Sequence, residues 1–145
     1  MARYLLLCCD VDESPELVSS AQELTRREPG AEFVLLVPAM PLPAIDSLFS
    51  PFGTPVRLAR HRAQQMRSRL TSAGITPTAT RLGDRDPLHA VEDALRFSSY
   101  AAVVVACPPR PLMHRLHRDL ACRLAQRFPS VTVIHATDQA AVGAD

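Results

Sequence analysis

The sequence predicts an α/β protein, a three-layer sandwich in which a five-stranded parallel sheet lies between layers of helices, four in all. Two observations predict it. Short apolar or β-branched runs alternate along the whole chain with stretches whose apolar residues recur at helical spacing. Two of those runs, Leu5-Leu6-Leu7 and Val103-Val104-Val105, are apolar without a break, as in strands buried on both faces of a parallel sheet. Strict alternation implies a parallel sheet because parallel neighbours need crossover connections, and the right-handed rule sets their hand.

The elements follow in order. Strands are predicted over Tyr4 to Cys9, Phe33 to Val37, Pro77 to Leu82, Ala101 to Cys107 and Val131 to Ala136. Between them run four apolar stripes: Leu17, Ala21, Leu24; then Ala59, Ala63, Met66, Leu70, Ala73; then Leu88, Val91, Leu95; then Leu112, Leu116, Leu120, Leu124. Ser14-Pro15 and Asp86-Pro87 each place a capping oxygen before a proline at the first helical position. Gly30 and Gly74 are predicted as left-handed residues just past helix ends. Pro77-Thr78-Ala79-Thr80 is polar for a strand and reads as a sheet edge. The Pro-rich stretch from Pro38 to Pro55 is predicted as a surface loop, with Leu48, Phe49 and Phe52 apolar enough to pack back or meet a partner.

With 145 residues the chain suits one domain, since a chain of this size buries roughly 70% of its unfolded surface without staples. That domain is expected over residues 1–138, with 139–145 as a tail. No apolar run approaches the ~20 residues that cross a bilayer, so a cytoplasmic protein is expected. All 16 Lys+Arg positions are arginine, which excludes a P-loop lysine, a Schiff base and pyridoxal phosphate chemistry. Asn is absent too, so no N-glycosylation sequon exists. Cys8, Cys9, Cys107 and Cys122 show no metal or disulfide spacing and are expected as buried thiols.

Open parallel sheets bind ligands beyond the carboxyl ends of their strands, where the strand order reverses. The two most apolar strands should flank that point. Their carboxyl-end loops, Asp10-Val11-Asp12-Glu13-Ser14 and Cys107-Pro108-Pro109-Arg110, are the default site, and Val37, Pro38 and Ala106 beside them are counted with the candidate crevice.

The layout resembles the universal stress protein family. The resemblance rests on a first strand ending in Leu7-Cys8-Cys9-Asp10, a Pro-rich loop after the second strand, Leu82-Gly83-Asp84-Arg85-Asp86-Pro87 before the third helix, and an apolar fourth strand followed by a long loop and helix. It spans about Tyr4 to Ala136. It implies a flavodoxin/Rossmann-like sheet in the order 3-2-1-4-5 and a homodimer through the last strand, with Val131 and Val133 at the contact. Many members bind ATP through a glycine motif after the fourth strand. That spacing falls here on Ala106, Pro109, Asp119 and Leu120, all departures from the pattern. Pro109 has no N–H to give and Asp119 brings negative charge toward phosphate. Arg110, Arg115 and Arg118 remain to hold an anion, and Asp10 matches the family's acidic position near adenosine.

Other readings compete. Asp10-Val11-Asp12-Glu13-Ser14 is similar to the first motif of haloacid-dehalogenase-type Mg²⁺-dependent phosphotransfer enzymes, with Asp10 as nucleophile and Asp12 as acid and base; the lysine that chemistry needs is missing. Gly83-Asp84 imitates an acidic metal motif only if the Asp86-Pro87 helix start is ignored. A response-regulator receiver domain needs an Asp at the end of the third strand and a Lys after the fifth; here Gly83-Asp84 comes a little late and there is no Lys. His114 and His117 on the fourth helix have metal-compatible spacing but arginine neighbours. Arginines cluster at Arg57, Arg60, Arg62, Arg67 and Arg69 with no acid between them, and opposite-sign pairing within or between subunits is expected to neutralise them. The expected function is a non-catalytic, dimeric binding or regulatory module with no catalytic residue, no metal and no cofactor, its usual ATP motif lost. A protein partner is expected, a membrane or nucleic acid is not.

Overall fold

The computed structural model describes residues 2–9, 14–39, 54–106 and 120–136. Strands β1 (Arg3–Leu7), β2 (Glu32–Pro38), β3 (Ala79–Gly83), β4 (Ala102–Ala106) and β5 (Thr132–Ala136) form one sheet in the order β3-β2-β1-β4-β5. All four pairings are parallel, as the alternation requires. Helices α1 (Ser14–Arg27), α2 (Pro55–Ser72) and α3 (Pro87–Phe97) connect them, and α4 is described over residues 120–127. The flavodoxin-like three-layer fold is therefore present.

The two faces of the central strands sort by the period of two. Leu6, Cys8, Phe33, Leu35, Val37 and Val104 pack with Leu17 and Ala21 of α1 and with Ala59, Ala63, Met66 and Leu70 of α2. Leu5, Leu7, Cys9, Val34, Leu36, Val103 and Val105 pack on the other side with Ala90, Val91 and Ala94 of α3 and Leu124 of α4. Each fully buried Leu or Val in these layers contributes roughly 1.5–3 kcal/mol relative to exposure. At the margin, β3 leaves Arg81 and Leu82 exposed, which confirms it as an edge.

Helix α2 starts one residue inside the stretch expected as loop. The Thr54 hydroxyl accepts from the Arg57 amide at 3.2 Å and Pro55 opens the helix, a Thr-Pro start equivalent to Asp86-Pro87. Residues 40–53 of that stretch lie outside the described residues. At the other end Ala73 caps the helix rather than continuing its stripe. Gly74 takes φ 87°, and its amide and that of Ile75 reach back to the Thr71 and Leu70 carbonyls at 3.0 and 2.9 Å. Buried Ile75 then closes the turn over the core.

Gly30 does not repeat this. Pro29 ends α1's run, and the Ala31 amide closes a turn onto the Glu28 carbonyl at 3.0 Å with no left-handed residue. Phe128-Pro129-Ser130-Val131 makes the same turn before β5. Cysteine burial also differs from expectation at one position: Cys8 and Cys9 are buried on opposite faces, but Cys122 is exposed. It lies two residues before buried Leu124, and residues two apart on a helix face different ways.

Candidate functional site

The strand order reverses between β1 and β4, which lie side by side with Leu7 opposite Val105. Chain leaving β1 turns into α1 on one face, whereas α3 and α4 flank β4 on the other. The two carboxyl ends therefore diverge, and the crevice between them is where this topology puts a ligand.

The floor of the crevice is apolar and pinned. Beyond β1 the Cys8 amide still donates to the Leu36 carbonyl at 3.0 Å, and Cys8 and Cys9 are buried. Val37 is buried, and so is Pro38, in register with Gly83. The next amide, Ala39, donates to the Gly83 carbonyl at 3.1 Å. Ala106 ends β4 opposite Ala136 of β5. Leu120, expected at the motif's hydroxyl position, is half-buried against the α3 and α4 apolar layer. Asp10, Val11, Asp12, Cys107, Pro109, Arg110, Arg115, Arg118 and Asp119 lie outside the described residues, as do His114 and His117. Val37 and Pro38 stand at the carboxyl end of β2 and Ala106 at that of β4, one on either side of β1.

Glu16 is a site-proximal feature that sequence reasoning passed over. It sits in the first turn of α1 with only 4% of its surface exposed. Glu16 lies next to buried Leu17, on the inner side of the helix. A carboxylate in a first helical turn also meets the positive end of the helix dipole.

Gly83-Asp84 acts as the entry to α3. Asp84 Oδ1 accepts from the Asp86 amide at 2.9 Å, and Asp86 Oδ1 accepts from the Leu88 amide at 3.0 Å. Both carboxylates are used on the backbone. Among the described residues no three His, Cys, Asp or Glu side chains converge as a metal site. No described helix is long and apolar enough to cross a membrane. A separate open groove of about 580 Å³ runs between α1 and α2, lined by Pro15, Val18, Ser19, Ser68, Arg69 and Ser72.

Sheet order, helical layers on both faces and a β1–β4 switch point define an α/β protein of flavodoxin-like architecture. Within that class the chain has the universal stress protein fold. A universal stress protein solved in complex with cAMP superposes with a TM-score of 0.63 over 93% of this chain and 96% of its own, at 15% identity. One from Archaeoglobus fulgidus gives 0.64 over 94% and 93%, at 12% identity. A family protein from Burkholderia pseudomallei gives 0.58 over 92% and 94%, at 16% identity. No family model matches the chain, and no curated protein sequence matches it significantly.

Proposed function

We propose that the protein is a universal-stress-protein-type binding module that acts through occupancy of the β1–β4 crevice rather than by catalysis. The observation that carries this reading is the switch point itself: the two carboxyl ends that diverge there belong to the two strands whose following loops hold Asp10 and Arg110. A neighbour of the same fold, solved with cAMP, supports a small-molecule role for the architecture. Pro109 and Asp119 at the positions of the family's glycine motif favour a site that no longer takes ATP in the family's manner. Arg110, Arg115 and Arg118 supply charge for a different anion. The protein acts in this reading as a homodimer through β5, with Val131 and Val133 at its contact.

Thermal unfolding against ATP, ADP, AMP and cyclic nucleotides, each with and without Mg²⁺, tests the reading. A ligand at a hundred times its dissociation constant adds about 2.7 kcal/mol of stability, a clear rise in melting temperature. We expect no rise with ATP. A rise with ATP that disappears in Arg110→Gln/Arg115→Gln overturns the loss of ATP binding and assigns those arginines to phosphate. Phosphate-ester turnover abolished by Asp10→Asn would replace the binding module by a phosphotransfer enzyme. Sedimentation velocity that finds a monomer throughout overturns the dimer.

A further inference from the structure

Helix α2 carries five arginines and no acidic residue. Three of them share a stripe. Arg57, Arg60, Gln64, Arg67 and Thr71 follow the spacing i, i+3, i+7, i+10, i+14, and all five are exposed. The stripe flanks the core-facing row Ala59, Ala63, Met66 and Leu70 and runs along the β3 margin of the sheet, where the Arg67 guanidinium donates to Thr80 Oγ1 at 3.0 Å.

Among the described residues, pairing within the chain does not reach this stripe. Ion pairs among the described residues join Arg3 to Glu32, Arg26 and Arg27 to Glu23, Arg96 to Glu92 and Asp93, and Arg127 to Glu92. Arg57, Arg60 and Arg67 belong to none of these pairs. Among the described residues Arg3, Arg26, Arg27, Arg96 and Arg127 each meet an acid, whereas the α2 stripe sets three exposed guanidinium groups with no ion pair along one helix flank. Like charges so close on one helix repel, and a partner anion relieves that repulsion.

We propose that the α2 stripe is a docking surface for the phosphodiester backbone of a nucleic acid duplex. Three features select this partner. The residues are arginines, whose planar fork matches phosphate oxygens. The stripe position between Arg60 and Arg67 is Gln64, a neutral group that also hydrogen-bonds phosphate. The stripe contains no aromatic or aliphatic anchor, so it has neither the stacking platform of a single-strand binder nor the apolar hot spot of a protein interface. Ten residues of helix set Arg57 and Arg67 about 15 Å apart. A duplex offers one charge per ~1.7 Å of axis, so all three arginines find phosphates at once. Binding is then independent of base sequence.

The test is fluorescence anisotropy of a labelled random-sequence DNA duplex titrated with the full chain at several salt concentrations. We expect a dissociation constant of roughly 10⁻⁴–10⁻⁶ M, typical of backbone binding. Three neutralised phosphates give a log–log slope of about −2.7, a loss of roughly forty-fold between ~50 and ~200 mM salt. Arg57→Gln/Arg60→Gln should lower both the affinity and the slope. Arg26→Gln/Arg27→Gln, which changes the net charge equally but lies at the end of α1, should leave both unchanged; melting curves confirm that each variant is folded. Equal losses in the two double variants, no binding at low salt, or tighter binding of poly-glutamate than of the duplex each overturn the proposal. The duplex titration is read separately from the mononucleotide shifts, so either reading can fail without the other.

Discussion

Gly83 at the end of β3 packs directly beneath Ala90 of α3: a Cβ on Gly83 would stand 2.6 Å from the Ala90 Cβ and 3.1 Å from Leu36 Cδ1. The glycine is needed for space, since its φ is not positive. It lets α3 lie on the sheet immediately after the Asp84-Arg85-Asp86 turn, with no room for a longer connection.

Gly83→Ala should therefore destabilise the fold by about 1–3 kcal/mol, the usual cost of overpacking. Urea unfolding measures it as a fall in the midpoint. Adding Ala90→Gly should recover most of the loss, less about 1 kcal/mol for glycine inside a helix. An unchanged midpoint in Gly83→Ala would show that the contact does not constrain the packing.

The cap of α3 gives a separable prediction. Asp86 accepts from the Leu88 amide at 3.0 Å, so Asp86→Ala should cost about 1 kcal/mol while Asp86→Asn, which keeps the acceptor, costs little. Equal losses in the two variants would mean that charge, not capping, is what Asp86 supplies.

Glu28 clasps the amino-terminal edge of the sheet. Its Oε2 accepts from the Tyr4 hydroxyl at 3.1 Å and its Oε1 from the Ala2 amide at 3.3 Å. Burial first, then the hydrogen bond and negative charge of Glu28, push the Tyr4 phenol above its ordinary value. A raised folded-state pKa means the contribution is complete below the unfolded value near ~10 and is lost as pH rises through the folded value. Ultraviolet titration in a Tyr100→Phe background should find Tyr4 ionising late, and Glu28→Gln should bring it part of the way back. No movement in Glu28→Gln would refute the clasp.

Glu92 titrates in the opposite sense. The hydrogen bond from Arg127, at 3.3 Å, holds its carboxyl below the usual range against the opposing effect of burial, and the charges of Arg127, Arg96 and His89 add to it. Its contribution is present above the unfolded value near ~4.3 and is lost as pH falls through the lowered folded value. Carboxyl NMR titration should show Arg127→Gln moving Glu92 upward more than Arg96→Gln does. The reverse order would place the dominant contact within α3 rather than between α3 and α4.

Much of the fold was legible because it is written at short range. Leu5-Leu6-Leu7 and Val103-Val104-Val105 read as doubly buried strands and occupy adjacent central positions. Asp86-Pro87 read as a helix start and is one. The misreadings are local too: Thr54-Pro55 was hidden inside a run of prolines, and Pro29 closes its own turn before Gly30 is needed. The carboxyl ends of β2 and β4, at Pro38 and Ala106, fall within one residue of the expected Val37 and Cys107, because strand extent follows from periodicity. Glu16 escaped notice because an acid near a helix start ordinarily faces water.

By itself the sequence determined the alternation of strands and helices, the strands that lie at the centre and the margin, and the loss of lysine chemistry. Periodicity, turn residues and composition act over a few positions, and each of these properties is decided at that range. The tertiary structure alone decided that Ala90 rests on Gly83, that Glu28 takes the Tyr4 hydroxyl, that Arg127 reaches Glu92 across 35 positions, and that Arg57 and Arg60 meet no acid among the described residues. Those outcomes depend on which distant surfaces the crossovers bring within about 4 Å, where packing and charge pairing operate.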